Sequence, residues 1–236
     1  MLVSTHGIIA QSESGTPPFS NTKSILLDGV DDYVNCGNAF TSLTAFSVSA
    51  WVKTDDKTAD NASFRGWFST GGWNTVGNFK IAIRANNGYA SVWEGGSERI
   101  VGTSDISDNN WYNVVLTKTS SDITLFVNGI QQARVSNSDT WSFNNIYIGA
   151  SGQSTNITTA GMWNGSIDEV SVFNTELSQS EVTAIYGGGT PSSLSSYSSL
   201  VSWWRFEGTG TTATDSGSGG NNGTLTNGAT RSTDVP

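Results

Sequence analysis

The sequence predicts an all-β chain folded as a two-sheet antiparallel sandwich with one short helix. Three observations lead there. Glycine is abundant (27 residues) and charged residues are few (13%), a composition that suits strands and turns rather than helices. Apolar residues alternate with polar ones along about a dozen short segments bounded by turn residues. Hydrophobic residues make up 36% of the 236 and include nine Trp, enough for one sizeable core, which excludes global disorder.

Taken in order, residues 1–22 mix small, polar and proline residues, with Gly15-Thr16-Pro17-Pro18 at their centre, and read as an N-terminal arm. The sandwich is expected over residues 23–236. Ile25 and Leu27, then Tyr33 and Val34, flank the turn Asp28-Gly29-Val30-Asp31-Asp32. Residues 46–53 alternate strictly, Phe46, Val48 and Ala50 facing one way and Ser47, Ser49 and Trp51 the other, the pattern of a half-buried strand. Residues 64–70, 79–84 and 89–94 give further strands. Trp111 to Val135 forms a meander with Asn128-Gly129 at one turn, the type I′ hairpin signal, because both central residues need positive φ. Strands follow at residues 146–149 and 166–173. Ser178 and Glu181 form a capping box, Val182 and Ile185 an apolar face and Gly187 a stop, predicting a helix near 178–187. Residues 187–199 are rich in Gly and Ser and hold Pro191, hence a linker. Leu200-Val-Ser-Trp-Trp-Arg-Phe-Glu is the last clear strand, followed by a Gly/Asn/Thr-rich stretch at 208–229.

Charge and cysteine content narrow the function. The net charge is −9 and the eleven basic residues are scattered, so the basic footprint of a nucleic-acid binder is missing. No apolar run approaches the ~18 residues of a membrane span. Cys36 is the only cysteine, which rules out an internal disulfide. The first ten residues carry no basic stretch of the kind that opens a secretory signal. We therefore expect either a chain made and folded in a cytosol or a mature fragment, with neither nucleic acid nor membrane as partner.

Five motifs in register resemble laminin G-like, concanavalin A-like jelly-roll domains. They are Ser24-Ile-Leu-Leu-Asp-Gly-Val-Asp-Asp-Tyr-Val, Phe46-Ser-Val-Ser-Ala-Trp-Val-Lys, Trp111-Tyr-Asn-Val-Val, Leu125-Phe-Val-Asn-Gly, and Trp163-Asn-Gly-Ser-Ile-Asp-Glu-Val-Ser-Val-Phe-Asn with Leu177-Ser-Gln-Ser-Glu. Together they cover residues 24–187. One segment departs from the pattern. Residues 200–236, from Leu200-Val-Ser-Trp-Trp-Arg-Phe-Glu through Asp215 to Asn221-Asn-Gly-Thr-Leu-Thr-Asn-Gly, look like the first strand and loop of such domains, yet here they come last. Circular permutation, donation of the strand to a neighbouring copy, and a truncated repeat are three explanations. An isolated stub would expose Trp203, Trp204 and Phe206, which disfavours the third.

The resemblance implies two activities. Such domains hold calcium through loop carboxylates and amides, and on that basis Asp28, Asp31, Asp32, Asp168, Asp215 and Asn222 are the expected ligands. They also bind sugars on aromatic platforms, for which Trp73, Tyr89, Trp93, Trp141 and Trp163, all near turns, are the candidates. Catalysis is not expected. A glycosidase on this fold needs two carboxylates across one bond, whereas Glu94 and Glu98 flank a turn and the adjacent Asp168 and Glu169 should point to opposite faces of a strand. His6 is the only histidine, so neither a Ser-His-Asp triad outside the arm nor a His-based zinc site is available. Ser4-Thr5-His6-Gly7-Ile8-Ile9-Ala10 and the late Trp-Trp-Arg-Phe segment also resemble structural proteins of phages, marine ones especially. That implies a virion subunit, partnered by other virion proteins, by copies of itself and by host-surface glycans. The alternative is a calcium-dependent carbohydrate-binding module of a cell-surface or secreted protein.

Overall fold

The computed structural model describes residues 19–38, 40, 43–58, 64–72, 74–151 and 161–236. Most of the arm, with His6, and Trp73 lie outside these residues. Among them, no helix is long and apolar enough to cross a membrane.

Two antiparallel sheets pack face to face. In the first, β10 (Ile130–Ser136), β9 (Asp122–Val127), β8 (Tyr112–Lys118), β3 (Phe46–Lys53), β12 (Asn164–Phe173), β1 (Ser24–Asp28) and β16 (Thr230–Ser232) lie side by side in that order. β13 (Leu200–Trp204) also pairs with β12, at Val170–Phe173, whereas β1 pairs with it at Asn164–Ile167. β1 and β13 thus share one place in the sheet, end to end. The second sheet runs through β14 (Thr212–Ala213), β15 (Gly223–Thr226), β2 (Tyr33–Gly37), β11 (Ile146–Ile148), β4 (Phe64–Thr70), β5 (Phe79–Arg84), β6 (Tyr89–Glu94) and β7 (Ser97–Asp105). β7, β14, β15 and β16 go beyond the expected strands; β7 is irregular and the others are only two to four residues long, so alternation is too brief or broken to be read.

The predicted alternation builds the core, but β3 is not half-buried as expected: Ser47, Ser49 and Trp51 on its other face are buried as well. Phe46, Val48, Ala50 and Val52 of β3 face Trp67, Phe68, Phe79 and Ile81 of the second sheet, all buried, and the Phe46 and Phe79 rings stack at 5.2 Å. The hairpin turn has φ of 49° at Asn128 and 76° at Gly129, as type I′ geometry requires. The helix, α1 (Gln179–Tyr186), carries the complete capping box and ends at a left-handed Gly187. It buries Val182 and Ile185 against the outer face of the first sheet, in a second apolar cluster with Phe173, Leu194, Leu200 and Trp203.

The late segment closes the sandwich within its own chain. Trp204 is fully buried in the main core, and its indole N–H donates to the Asn221 carbonyl at 2.7 Å. β15 adds to the edge at β2. There Gly223 is obligatory, because a Cβ would sit 2.7 Å from Val34 Cγ1 and 2.9 Å from Cys36 Sγ. β16 pairs with β1, and Ser24 Oγ donates to the Asp234 carbonyl at 2.6 Å, so residues near both ends of the chain meet. Trp203, Trp204 and Phe206 are all buried.

Candidate functional site on the outer face of the second sheet

The strand pairings line up one row of outward side chains across the second sheet: Thr224, Asn35, Tyr147, Ser69, Lys80, Trp93 and Glu98. Directly paired residues share a face. Inward neighbours such as Val34, Ile148, Ile81 and Val92 lie in the core, which fixes the row as outward. Its middle, Ser69 and Lys80, is buried, and burial pushes the Lys80 ammonium down to about 8 against the opposing pull of Glu94. Its ends are open. At one end Tyr33 and Tyr147, both half-buried, meet edge to face with ring centres 6.0 Å apart. Burial raises the Tyr147 hydroxyl above its usual range, and Tyr33 adds to the effect. Asn35 stands exposed beside them, with Thr224 and Thr226 of β15 opposite Asn35 and Tyr33.

Tyr33 directly follows the aspartate turn. Carboxylate oxygens of Asp28, Asp31 and Asp32 lie within 4.8 Å of one another. Asp28 holds the turn by accepting the Val30 N–H at 2.8 Å. Asp32, which is buried, accepts the backbone N–H groups of Asp28 and Gly228. Burial raises the Asp32 carboxyl, and the Asp28 and Asp31 charges add to the rise. Three hard oxygen donors of like charge at one turn fit a cation such as calcium, which takes six to eight oxygens, as a partial shell. Asp28 and Asp31 are exposed, so water or ligand hydroxyls have access to the rest.

A description of the concanavalin A-like lectin/glucanases superfamily matches residues 28–183. The chain belongs to that superfamily. Among solved structures, a candidate carbohydrate-binding protein from Bacteroides ovatus is 20% identical with a TM-score of 0.66, covering 91% of this chain and 60% of that one. The chain therefore spans about 60% of that relative's length. A heptameric SAP-like pentraxin from Limulus polyphemus is 14% identical with a TM-score of 0.59, over 73% of this chain and 86% of that one. The CBM40 of a Ruminococcus gnavus IT-sialidase, bound to alpha2,3 sialyllactose, is 19% identical with a TM-score of 0.57, over 71% of this chain and all of that one (100%). At these identities the likeness is one of fold. No curated protein matches the chain.

Burial sorts the aromatic candidates in this chain. Trp141 and Trp163 are fully buried in the core and cannot meet a sugar, which corrects the expectation for both. Trp163 donates its indole N–H to the Ser166 carbonyl, and Trp141 stacks on Phe79 at 5.0 Å. Both lie outside the strands, Trp141 in the loop between β10 and β11 and Trp163 just ahead of β12, and both turn inward. Tyr89 and Trp93, half-exposed on β6, stand on the same outer face as Tyr147. Three strand spacings separate Trp93 from Tyr147, roughly 14 Å, so they are a second patch. Tyr33, Asn35 and Tyr147 were not singled out as site residues. The signal was available: Val34 and Cys36 facing the core turn Tyr33 and Asn35 outward, and Ile146 and Ile148 do the same for Tyr147.

The expected calcium ligands also divide. Asp28 pairs with Asn164, and Asp168 lies four residues further along β12, roughly 13 Å away at strand spacing. Asp168 instead accepts from Asn21 Nδ2 at 2.9 Å. Asp215 is consumed by structure, accepting from Ser202 Oγ and from the backbone N–H groups of Trp203, Gly217 and Asn221. Asn222 accepts the Asp215 N–H. These three residues do not join the aspartate turn, since sequence order does not show which loops share an end of the sandwich.

One expectation about catalysis needs correcting. Asp168 and Glu169 do not point to opposite faces. A bulge shifts the register of β12 between Asp168 and Ser171, and Glu169 adopts φ of 50°, left-handed for a residue with a Cβ. Both carboxyls end up on the outer side of the first sheet. Glu94 and Glu98 are separated as expected: Glu94 is buried beneath the sheet and held by Arg99, while Glu98 pairs with Arg84 at 2.8 Å.

Proposed function

We propose that this chain is a non-catalytic glycan-binding module whose site is the Tyr33–Asn35–Tyr147 patch beside the aspartate turn. The observation that carries this reading is the pair of half-buried tyrosines set edge to face on an outer strand face, adjoined by an exposed amide and three clustered carboxylates. A sugar offers an apolar C–H face, which packs on aromatic rings, and a rim of hydroxyls, which need amide, carboxylate or metal partners. Asp28, Asp31 and Asp32 would hold calcium, which supplies a positive centre for sugar hydroxyls. The shared fold with the sialyllactose-bound CBM40 supports the reading by analogy.

The test is a glycan array probed with the full chain in calcium and again in EDTA, followed by titration of the best ligand. We expect saturable binding that weakens by about tenfold or more in Tyr33→Ala and in Tyr147→Ala, the loss of one ring contact and its buried area. Binding unchanged in both variants would overturn the placement of the site. Binding indifferent to EDTA would remove calcium from it, and no binding to any glycan would sink the reading.

The setting we favour is a virion surface, as a decoration, fibre or appendage subunit made in the host cytosol. It rests on the resemblance of residues 4–10 and of Trp203-Trp204-Arg205-Phe206 to phage structural proteins, and on a lone, buried cysteine. An antibody to this chain should label capsid or tail regularly in electron micrographs of phage from the source. Bare particles would move the module to a cell-surface or secreted protein.

A further inference from the structure

The outer face of the first sheet holds a cluster that glycan binding leaves unused. The bulge at Glu169 brings two adjacent carboxyls under one cover, Asp168 with no exposed surface and Glu169 with 4%. The cover is the segment Phe19–Lys23. Asn21 Nδ2 donates to Asp168 Oδ2 at 2.9 Å. Arg205 donates to the Ser20 carbonyl, and its guanidinium lies 4.7 Å from the Phe19 ring and 4.8 Å from the Trp203 ring. Thr22 N–H and Lys23 N–H both donate to Glu207 Oε1, at 2.6 and 3.2 Å. Below, Trp203 Nε1 donates to Glu169 Oε2 and Arg205 Nε to Glu169 Oε1.

The charges in this cluster do not balance. Among the described residues, the cation beside Asp168, Glu169 and Glu207 is Arg205, and it pairs with Glu169. Among the described residues, Asp168 has an amide and a backbone N–H as partners. Lys23 reaches the Gly208 carbonyl instead, and Lys53 is paired with Asp234. The groups that close over Glu169 from β3, α1 and the linker, including Ser49, Trp51, Ile185 and Leu194, are uncharged. A buried carboxylate without a cation takes up a proton rather than bear the cost of desolvation.

We propose that Asp168 and Glu169 form a proton-operated clamp that holds the segment Phe19–Lys23 on the C-terminal strand and lets it go as the pH rises. The direction follows from linkage. Burial raises the Asp168 carboxyl well above its usual range, and the Glu169 charge adds to this. Burial raises Glu169 from 4.5 to about 7, against the opposing pull of Arg205 and Trp203. Undocking the segment uncovers Asp168 and returns its carboxyl toward the ordinary range. The docked state therefore binds more protons than the undocked one. Its extra stability is complete below the ordinary carboxylate range and is lost as the pH rises through the raised range of Asp168.

The experiment is amide hydrogen exchange of the full chain at pH 5 and 7.5, corrected for the intrinsic pH dependence of exchange. Protection of the Thr22 and Lys23 amides should fall by about tenfold or more, the change one coupled proton gives per pH unit across its window. The Asn128 amide, bonded to the Asn113 carbonyl at 2.8 Å in the hairpin, should keep its protection and serves as the internal reference. In Asp168→Asn/Glu169→Gln the fall should shrink to less than about twofold. Constant protection at Thr22 and Lys23 in the unmodified chain overturns the clamp even if the variant does not fold. A full wild-type fall in a folded double variant overturns it too.

Discussion

The two outer faces of this sandwich differ in what covers them. Over the first sheet lie α1, the linker and residues 19–23, which bury Trp203, Phe173 and Leu177 in an apolar cluster of their own. Polar groups there are sealed: Asp168 and Glu169 are buried. Over the second sheet, Tyr33, Asn35, Tyr147 and Trp93 remain in reach of solvent. A face that is roofed must be self-sufficient, so its aromatic rings serve stability. A face left open can spend its rings on a ligand. The same residue types therefore carry different meanings on the two faces, and the roof is what decides.

Residues 200–236 support both faces, which makes their removal the most severe way to break the contrast. β13 underlies the roofed face at Trp203, β15 flanks the open one at Thr224, and Trp204 fills the core between them. Deleting the segment exposes Val34, Cys36 and the far half of β12. We expect the shortened chain to lose its cooperative thermal transition altogether, because losing one large core aromatic alone costs about 3–5 kcal/mol, a large share of a domain's net stability. Calorimetry decides it: a sharp transition near that of the full chain would show that the late segment is an appendage. Relinking should do little harm by comparison. A chain that opens within 187–199 and joins residue 236 to residue 19 should still unfold cooperatively, because those ends already meet at β1 and β16.

How far these features could be read from the sequence depends on whether the deciding contact is local. The alternation of Phe46 to Lys53, the Asn128-Gly129 turn and the Ser178–Glu181 capping box are each written within a few residues, and each is found where it was expected. The displaced strand was legible as a displacement; its place beside β12, sharing a position with β1, depends on pairing across the whole chain. The candidate site was legible only in part. Three aspartates in one turn declare themselves, but Tyr33 and Tyr147 are 114 residues apart and meet only because β2 and β11 pair. Position near a turn misassigned Trp141 and Trp163, because a turn says nothing about which face the next side chain takes. The bulge at Asp168–Glu169 defeated simple alternation for a related reason: one extra residue in a strand reverses the parity on which the argument rests.

Matched substitutions on the two faces sharpen the comparison most finely. Trp203→Ala on the roofed face removes a 4%-exposed ring, its stack on Phe19 and the donor to Glu169 Oε2; we expect a loss of about 3–5 kcal/mol in denaturant titration. Tyr147→Ala on the open face removes a half-buried ring whose aromatic partner is Tyr33. Its neighbours Ile146 and Ile148 keep β11 in the core, so the expected loss is smaller, about 1 kcal/mol. The ratio matters more than either value. A Tyr147→Ala cost as large as that of Trp203→Ala would mean that the ring is structural, and the open face would lose its claim to a ligand. A small cost leaves Tyr147 as an aromatic held at a surface with little to gain from folding, which is the physical mark of a residue kept for contact with something else.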